Sequence, residues 1–405
     1  MIFGDKIFVI KQKRRCAMKI AVVGAGAAGL VAASVLKMKN ADFTLFERSA
    51  RAGKKLLATG NGRCNITNLC IDKSRYHGES DFSEYALSRF GYFELKTFFE
   101  SIGVPLKAEG DKVYPYSLQA SSVLDMLRFA EGLSEVCDTE ITKIIPKKKG
   151  FTLKAGDKDV FFDKVILCCG GKASPNLSGG GAYNLLTDLG HKLTPLKPAI
   201  VQLKCDGTKA LDGVKIDAAI KMEKRCEEGE VLFTSYGLSG PPILQLSRDA
   251  KGKKISIDLT PELSYAEIVN MLSEKRKLTY LTLENLFTGF LNKKLGREIL
   301  KRCDCLPMGR EIKTLTDKEI KTLASVIKGM EFLITDTNGF ANAQVTAGGI
   351  CCKDFNRETM ESKICPGLYV AGEMLDVDGD CGGFNLQWAF SSAYLAALSA
   401  IGETV

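Results

Sequence analysis

Three glycines and one carboxylate are the first residues in this sequence whose spacing implies chemistry. Gly24, Gly26 and Gly29 stand in G-x-G-x-x-G spacing, and Glu47 follows eighteen residues after Gly29. Glycines so spaced let backbone N–H groups approach a pyrophosphate, and an acid at that distance accepts hydrogen bonds from a ribose. A second run with a ligand-binding character lies near the other end, "AGEMLDVDGDCGGFNLQWAF", Ala371 to Phe390. It sets acidic residues and paired glycines before an apolar helix. Within it Gly372 and Glu373 suit a ribityl or pyrophosphate group. Gly382, Gly383, Phe384, Asn385 and Leu386 start a helix whose N–H groups and dipole can face negative charge on a bound ligand.

The elements that must position these groups are legible around the first motif. Lys19–Val23 reads as a buried parallel strand, and an Ala/Leu/Val-rich helix follows, with Ala27 and Ala28 in its first turn. Asp42–Phe46 reads as the next strand, ending at Glu47 and Arg48. A G-x-G-x-x-G between strand and helix, with an acid closing the next strand, is a strong dinucleotide signature. Gly24 serves the turn, Gly26 the approach to phosphate, and Gly29 the packing of helix on sheet. The stretch Arg51–Asn68, "RAGKKLLATGNGRCNITN", reads as a long polar loop with little to fill a core. Arg51, Lys54, Lys55 and Arg63 offer charge to phosphates, and Gly53, Gly60 and Gly62 allow close backbone approach. Cys64 and Asn65 are further contact candidates. Such a loop suits a cofactor that extends past its adenosine, as FAD does.

From Ile141 a strand meander leads to "KVILCCGG", which places Cys169, Gly170 and Gly171 at the end of a buried strand; Ile141 is a candidate for contact with adenine. From about residue 194 short strands follow without alternating helices, as in a β-barrel. Residues 260–329 read as helical, with capping boxes at Ser264/Glu267 and Thr316/Glu319 and a helical stripe in "LENLFTGFLNKKLGREIL". The expected fold is α/β: a discontinuous Rossmann-like FAD domain of the two-dinucleotide-binding flavoprotein type over 18–193 and 341–405. It carries an inserted β-barrel domain over 194–259 and 330–340 and a helical subdomain over 260–329. Residues 1–17 read as a loose basic arm preceding Met18.

The chain has 405 residues and a net charge of +8. Residues 1–17 hold Lys6, Lys11, Lys13, Arg14 and Arg15 against Asp5, so half of that charge sits in the arm. The rest is an ordinary solvated surface, which argues against a nucleic-acid partner. No apolar run approaches the roughly 20 residues of a membrane helix. Fourteen cysteines include no C-x-x-C pair, and there are two histidines, His77 and His191. Reduced thiols in a cytoplasm are expected, with no metal site. Cys64 and Cys381 tempt a redox role but read as small buried residues.

The stretches "VVGAGAAGL", "GKKLLATGNGRCNITN", "VYPYSLQASSVLDML", "VLFTSYGLSGPPIL", "VTAGGI" and "MESKICPGLYVAGEMLDVDGDCGGFNLQWAFSSAY" resemble the BaiN/YhiN-like flavoproteins, also described as aminoacetone oxidase family FAD-binding enzymes. The resemblance covers the chain from Met18 onward. It implies a discontinuous FAD domain with an inserted barrel, FAD as cofactor, and an oxidoreductase with NAD(P)H as reductant. An enone-type C=C in a small organic substrate is the substrate type it favours. One departure is Gly181, where the family tends to carry Asp. Thr346, Ala347, Gly348 and Gly349 are expected to wall the flavin ring, with Tyr114, Tyr116 and Tyr236 as candidate substrate contacts. A flavin-dependent tRNA-modifying protein and a non-catalytic flavin-bound sensor are the alternatives.

Overall fold

The computed structural model describes residues 18–129 and 135–404; the basic arm expected over 1–17 lies outside the described residues. Its centre is a five-stranded sheet of β1 (Lys19–Val23), β2 (Asp42–Phe46), β3 (Glu135–Val136), β4 (Lys164–Leu167) and β5 (Leu368–Val370). Their spatial order is β5-β4-β1-β2-β3, and every pair is parallel. Ile20, Ala21 and Val22 are wholly buried, because a central parallel strand is covered on both faces. Helix α1 (Ala27–Met38) packs against α2 (Phe384–Ala400), which comes from the far end of the chain. The Rossmann-type FAD domain is therefore discontinuous: β5 and α2 complete a sheet and helix layer begun at Lys19.

An antiparallel meander (Ile141–Pro146, Phe151–Ala155, Lys158–Phe162) precedes β4. The middle of the chain builds a closed six-stranded barrel from Leu203–Cys205, Lys215–Met222, Arg225–Thr234, Gly237–Ser239, Lys254–Asp258 and Met330–Thr337. Buried and exposed residues alternate along Met330–Thr337, since successive side chains point into and out of the barrel. Three helices, Tyr265–Lys275, Lys293–Arg302 and Asp317–Lys328, pack on it and share its core. Both expected capping boxes form, at Ser264/Glu267 and Thr316/Glu319. The apolar stripe starting at Leu283 is not one helix. A 3-10 turn, Leu283–Asn285, comes first, and the helix starts at Lys293, where the Asn292 side chain accepts from Lys294 N–H.

Two strands join the parts. Lys197–Ala199 leaves the Rossmann domain and Val345–Ala347 returns to it, and they pair antiparallel with Pro198 opposite Thr346. A small apolar group gathers there: Ala199, Ile200, Val345 and Ala347, with Leu244 and Cys381 packed against them.

The stretch expected as a polar loop after Glu47 is instead largely built in. Lys54–Ala58 is helical, and Cys64, Asn65, Ile66, Thr67 and Asn68 are buried. Thr67 Oγ1 donates to Gln387 Oε1 at 2.5 Å and Asn68 Nδ2 to the Gly382 carbonyl at 2.9 Å. Thr67 and Asn68 find partners on α2 and on the turn before it, so polarity here marks a packed seam rather than a solvated surface.

Candidate functional site

A cavity of about 770 Å³ runs along the seam between the Rossmann domain and the barrel. Its first end lies over the glycine motif, and the three glycines there do three separate jobs. Gly24 turns with φ +98°, and a Cβ there would sit 2.6 Å from the carbonyl oxygen of Cys168, the residue after β4. A Cβ on Gly29 would collide with the Gly24 carbonyl, so that position sets how closely α1 meets the sheet. A Cβ on Gly26 would meet nothing within 4 Å, and Gly26 lines the cavity. That open space has room for a phosphate against the N-terminus of α1, which has no side-chain cap to occupy its N–H groups. Glu47 accepts from Ala25 N–H at 3.0 Å and Ser49 N–H at 2.8 Å. These contacts fix its carboxylate at the end of β2, beside the glycine turn.

Most residues expected to hold a dinucleotide line this one cavity. They include Ala27, Ala28, Glu47, Arg48, Lys54, Lys55, Gly60, Arg63, Asn65, Ile141, Cys169 and Gly170 from the first part of the chain. Gly372, Glu373, Gly382, Gly383, Asn385 and Leu386 come from the last part. Glu373 is a junction: it accepts from Gly171 N–H (3.1 Å), Thr346 N–H (2.7 Å) and Lys55 Nζ (3.0 Å). The Arg48 guanidinium donates to the Ser178 carbonyl and reaches Glu140 at 3.4 Å. Five of the expected contacts lie outside the lining. Gly29 serves helix packing, and Gly171 packs against Glu373 and Thr346. Cys64 is wholly buried, and burial pushes its thiol up to about 12. Phe384 is turned into the core against Tyr76. Gly62 faces open space away from the cavity lining.

The expected ring wall is placed differently. Thr346, Ala347, Gly348 and Gly349 do not line the cavity. Gly348, at φ +86°, packs on the Pro195 carbonyl, and a Cβ on Gly349 would sit 2.6 Å from Leu375. Their small size serves close backbone packing. The two residues just before them, Gln344 and Val345, reach the cavity instead. Of the three tyrosines only Tyr114 lines it, under the Arg63 guanidinium at 4.4 Å. Tyr116 follows Pro115 at the strand end and is 68% exposed, and Tyr236 is also exposed.

The far end of the cavity is lined by Ile200, Pro241, Leu244 and Val345, with Cys381 packed on them, together with Lys112, Tyr114 and Asp380. Sequence reading did not select Lys112, Ile200, Leu244 or Asp380. Strand period held a signal for Lys112, because Lys112–Pro115 puts it on the same face as Tyr114. Behind this end, His77 Nε2 lies 2.8 Å from Asp380 Oδ1, and Arg75 lies 3.6 Å from Oδ2. Burial opposes the charge on Asp380, but His77, Gln245 and Arg75 outweigh it and hold its carboxyl below the ordinary range. Arg248 from the barrel side pairs with the buried Asp378. Asp376, by contrast, is raised by burial. Among the described residues no group of His, Cys, Asp and Glu is arranged to hold a metal ion, and no helix is long and apolar enough to cross a membrane.

The sequence profile described as "HI0933-like protein Rossmann domain" matches residues 18–399. The chain is 38% identical over 405 residues to a 3-dehydro-bile acid delta(4,6)-reductase of Clostridium scindens, covering 94% of this chain and 98% of that protein. It is 28% identical over 395 residues to a ribosomal RNA dihydrouridine synthase of Escherichia coli, covering 93% and 96% respectively. Among solved structures, a 3-ketosteroid delta1-dehydrogenase from Sterolibacterium denitrificans matches with a TM-score of 0.47 and 10% identity, over 94% of this chain and 98% of that one.

Proposed function

The chain belongs to the HI0933-like Rossmann-domain family and is an FAD-dependent oxidoreductase, and from that premise we propose that it saturates a carbon–carbon double bond conjugated to a carbonyl in a small, largely apolar ring compound. The observation that carries this reading is the far end of the cavity. There an aliphatic wall of Ile200, Leu244 and Val345, with Cys381 packed against it, shares the cavity lining with the polar Lys112 and Tyr114. An apolar ring fits against the wall, and a carbonyl oxygen needs the polar side. The relatives' names agree in chemistry. A 3-dehydro-bile acid reduced at delta(4,6) carries a ring ketone conjugated to the double bonds. Dihydrouridine is uridine with a conjugated ring double bond saturated.

FAD, when bound, would supply the hydride. The protein's own part is to hold and shield. Gly26 and the free N-terminus of α1 would receive the pyrophosphate, with Lys54 and Arg51 on the cavity wall to balance its charge. The uncapped N-terminus of α2 would stabilise negative charge at the other end of the cofactor. The aliphatic wall excludes water from the reacting carbons. A nicotinamide, NADH or NADPH, is the proposed reductant. The chain has one strand–glycine–helix unit with a terminal acid, so the nicotinamide would visit transiently.

The test is anaerobic. The purified yellow protein is reduced with NADH or NADPH and mixed with a 3-oxo-delta4 steroid. Reoxidation of the flavin with a product two hydrogens heavier is expected. No reoxidation by any conjugated ketone would refute the reading. Dihydrouridine formed in ribosomal RNA, with no steroid product, would move the substrate to nucleic acid.

A further inference from the structure

Cys381 looks like an inert filler in the sequence, yet it lies in the cavity lining. Its turn is tied to the inserted domain, since Cys381 N–H donates to Gln245 Oε1 at 2.9 Å, and Gln245 sits in the short helix Pro241–Leu246. Its side chain packs beside Leu244, Ile200 and Val345, the aliphatic wall of the proposed substrate end. Two further observations single this corner out. Asn65 is nine-tenths buried and lines the cavity, and its Oδ1 has no hydrogen-bond partner. That oxygen faces the Gly382–Gly383 turn, 2.9 Å from where a Cβ on Gly383 would stand. Lys112 reaches the same turn, its ε-carbon 3.8 Å from the Cβ position of Gly382, and makes no ion pair among the described residues. A buried acceptor without a donor at this turn indicates that a ligand completes this corner, and the exposed Lys112 stands beside it.

We propose that Cys381 is the acid that protonates the α-carbon of the conjugated ketone. The proposal rests on the enone reading above. The hydride reaches the β-carbon with its electron pair, and the carbon–carbon π bond breaks. The S–H bond of Cys381 breaks as a C–H bond forms at the α-carbon. The thiolate left behind takes a proton from water, and a nicotinamide restores the reduced cofactor. The surroundings suit both halves of this step. Burial keeps the thiol protonated at neutral pH, against the pull of Lys112. Once the proton is given, the thiolate lies near the Lys112 ammonium and just before the N-terminus of the 17-residue α2. The other titratable groups facing it fit less well. Asp380 is held ionised by His77 and Arg75 and has no proton to give. Tyr114 is stacked under Arg63.

The experiment uses the holoenzyme and compares Cys381→Ala and Cys381→Ser with the parent protein. Flavin reduced under anaerobic conditions is reoxidised by a 3-oxo-delta4 steroid, which needs a proton, or by ferricyanide, which does not. Both variants should slow reoxidation by the steroid about 10²- to 10⁴-fold, the usual worth of a general acid, and leave the ferricyanide rate unchanged. Serine should not rescue, because a hydroxyl is a far weaker acid than a thiol. A second readout needs no turnover: iodoacetamide should alkylate Cys381 faster than the buried Cys64, and bound steroid should protect it, as followed by peptide mass. Undiminished steroid reoxidation, equal slowing with ferricyanide, or a loss seen in Tyr114→Phe instead would overturn the proposal. A parent protein inert to every conjugated ketone would remove the enone reading itself, a separate result.

Discussion

The two ends of the cavity are built in opposite ways. The glycine end comes from one continuous stretch, Lys19 to Arg48, in which strand, turn, helix, strand and acid follow in order. The far end is assembled from Lys112 and Tyr114, Ile200, Leu244, Val345 and Cys381, five segments spread over most of the chain. The first end depends on local geometry. The second exists only if the barrel docks correctly on the Rossmann domain. A local unit fails by losing its ligand, whereas a junction fails by losing its alignment.

The largest expected effect is at the local end. Gly26→Val should purify colourless, with flavin content near zero by absorbance, while its circular dichroism stays native. The side chain would fill the open space over α1 rather than strike the protein. Full flavin content would place the pyrophosphate elsewhere. Next comes the junction. Arg248→Ala leaves Asp378, whose side chain is 2% exposed in the pair, as an uncompensated buried charge. Breaking such a pair costs about 3–5 kcal/mol, to be read from denaturant midpoints. Removing both partners should recover much of that loss. If Arg248→Ala is as stable as the parent, the pair does not hold the domains.

A smaller effect separates packing from catalysis. Gly348→Val puts a branched side chain at φ +86° against the Pro195 carbonyl, a strain of about 1–3 kcal/mol. Turnover should fall only as far as folded protein falls, with KM unchanged. A stable Gly348→Val protein with a raised KM would restore that glycine to the substrate wall. Leu244→Ala should do the reverse. It trims the aliphatic face, weakening kcat/KM for a steroid by about 1–2 kcal/mol with little change in flavin content. The smallest effect concerns pH. Asp380 is held below the ordinary carboxylate value in the folded protein. Its contribution is therefore complete above the unfolded pKa of about 3.9 and is lost as pH falls through the lower folded value. Asp380→Asn should flatten the acid limb of the stability profile; an unchanged limb would show that His77 and Arg75 do not matter there.

The sequence alone determined the local things. It located the strand–glycine–helix unit and the acid at the end of β2. It marked both capping boxes and the return of the chain to the Rossmann sheet near residue 368. Each follows from neighbours in the chain: hydrophobic period, turn residues and side chains that reach a few positions. Tertiary structure decided what faced the cavity. Gly26 and Gly348 are both glycines beside strands, yet one opens on the ligand space and the other is sealed against Pro195. Cys64 and Cys381 are both cysteines in glycine-rich runs, yet one is wholly buried and the other lines the site. Asn65 to Asn68 read as a polar loop, until Gln387 and Gly382 were brought within hydrogen-bonding reach. Residue type fixes what a side chain is able to do. Which partner or space it meets is set by contacts between segments hundreds of residues apart, and no local pattern encodes those distances.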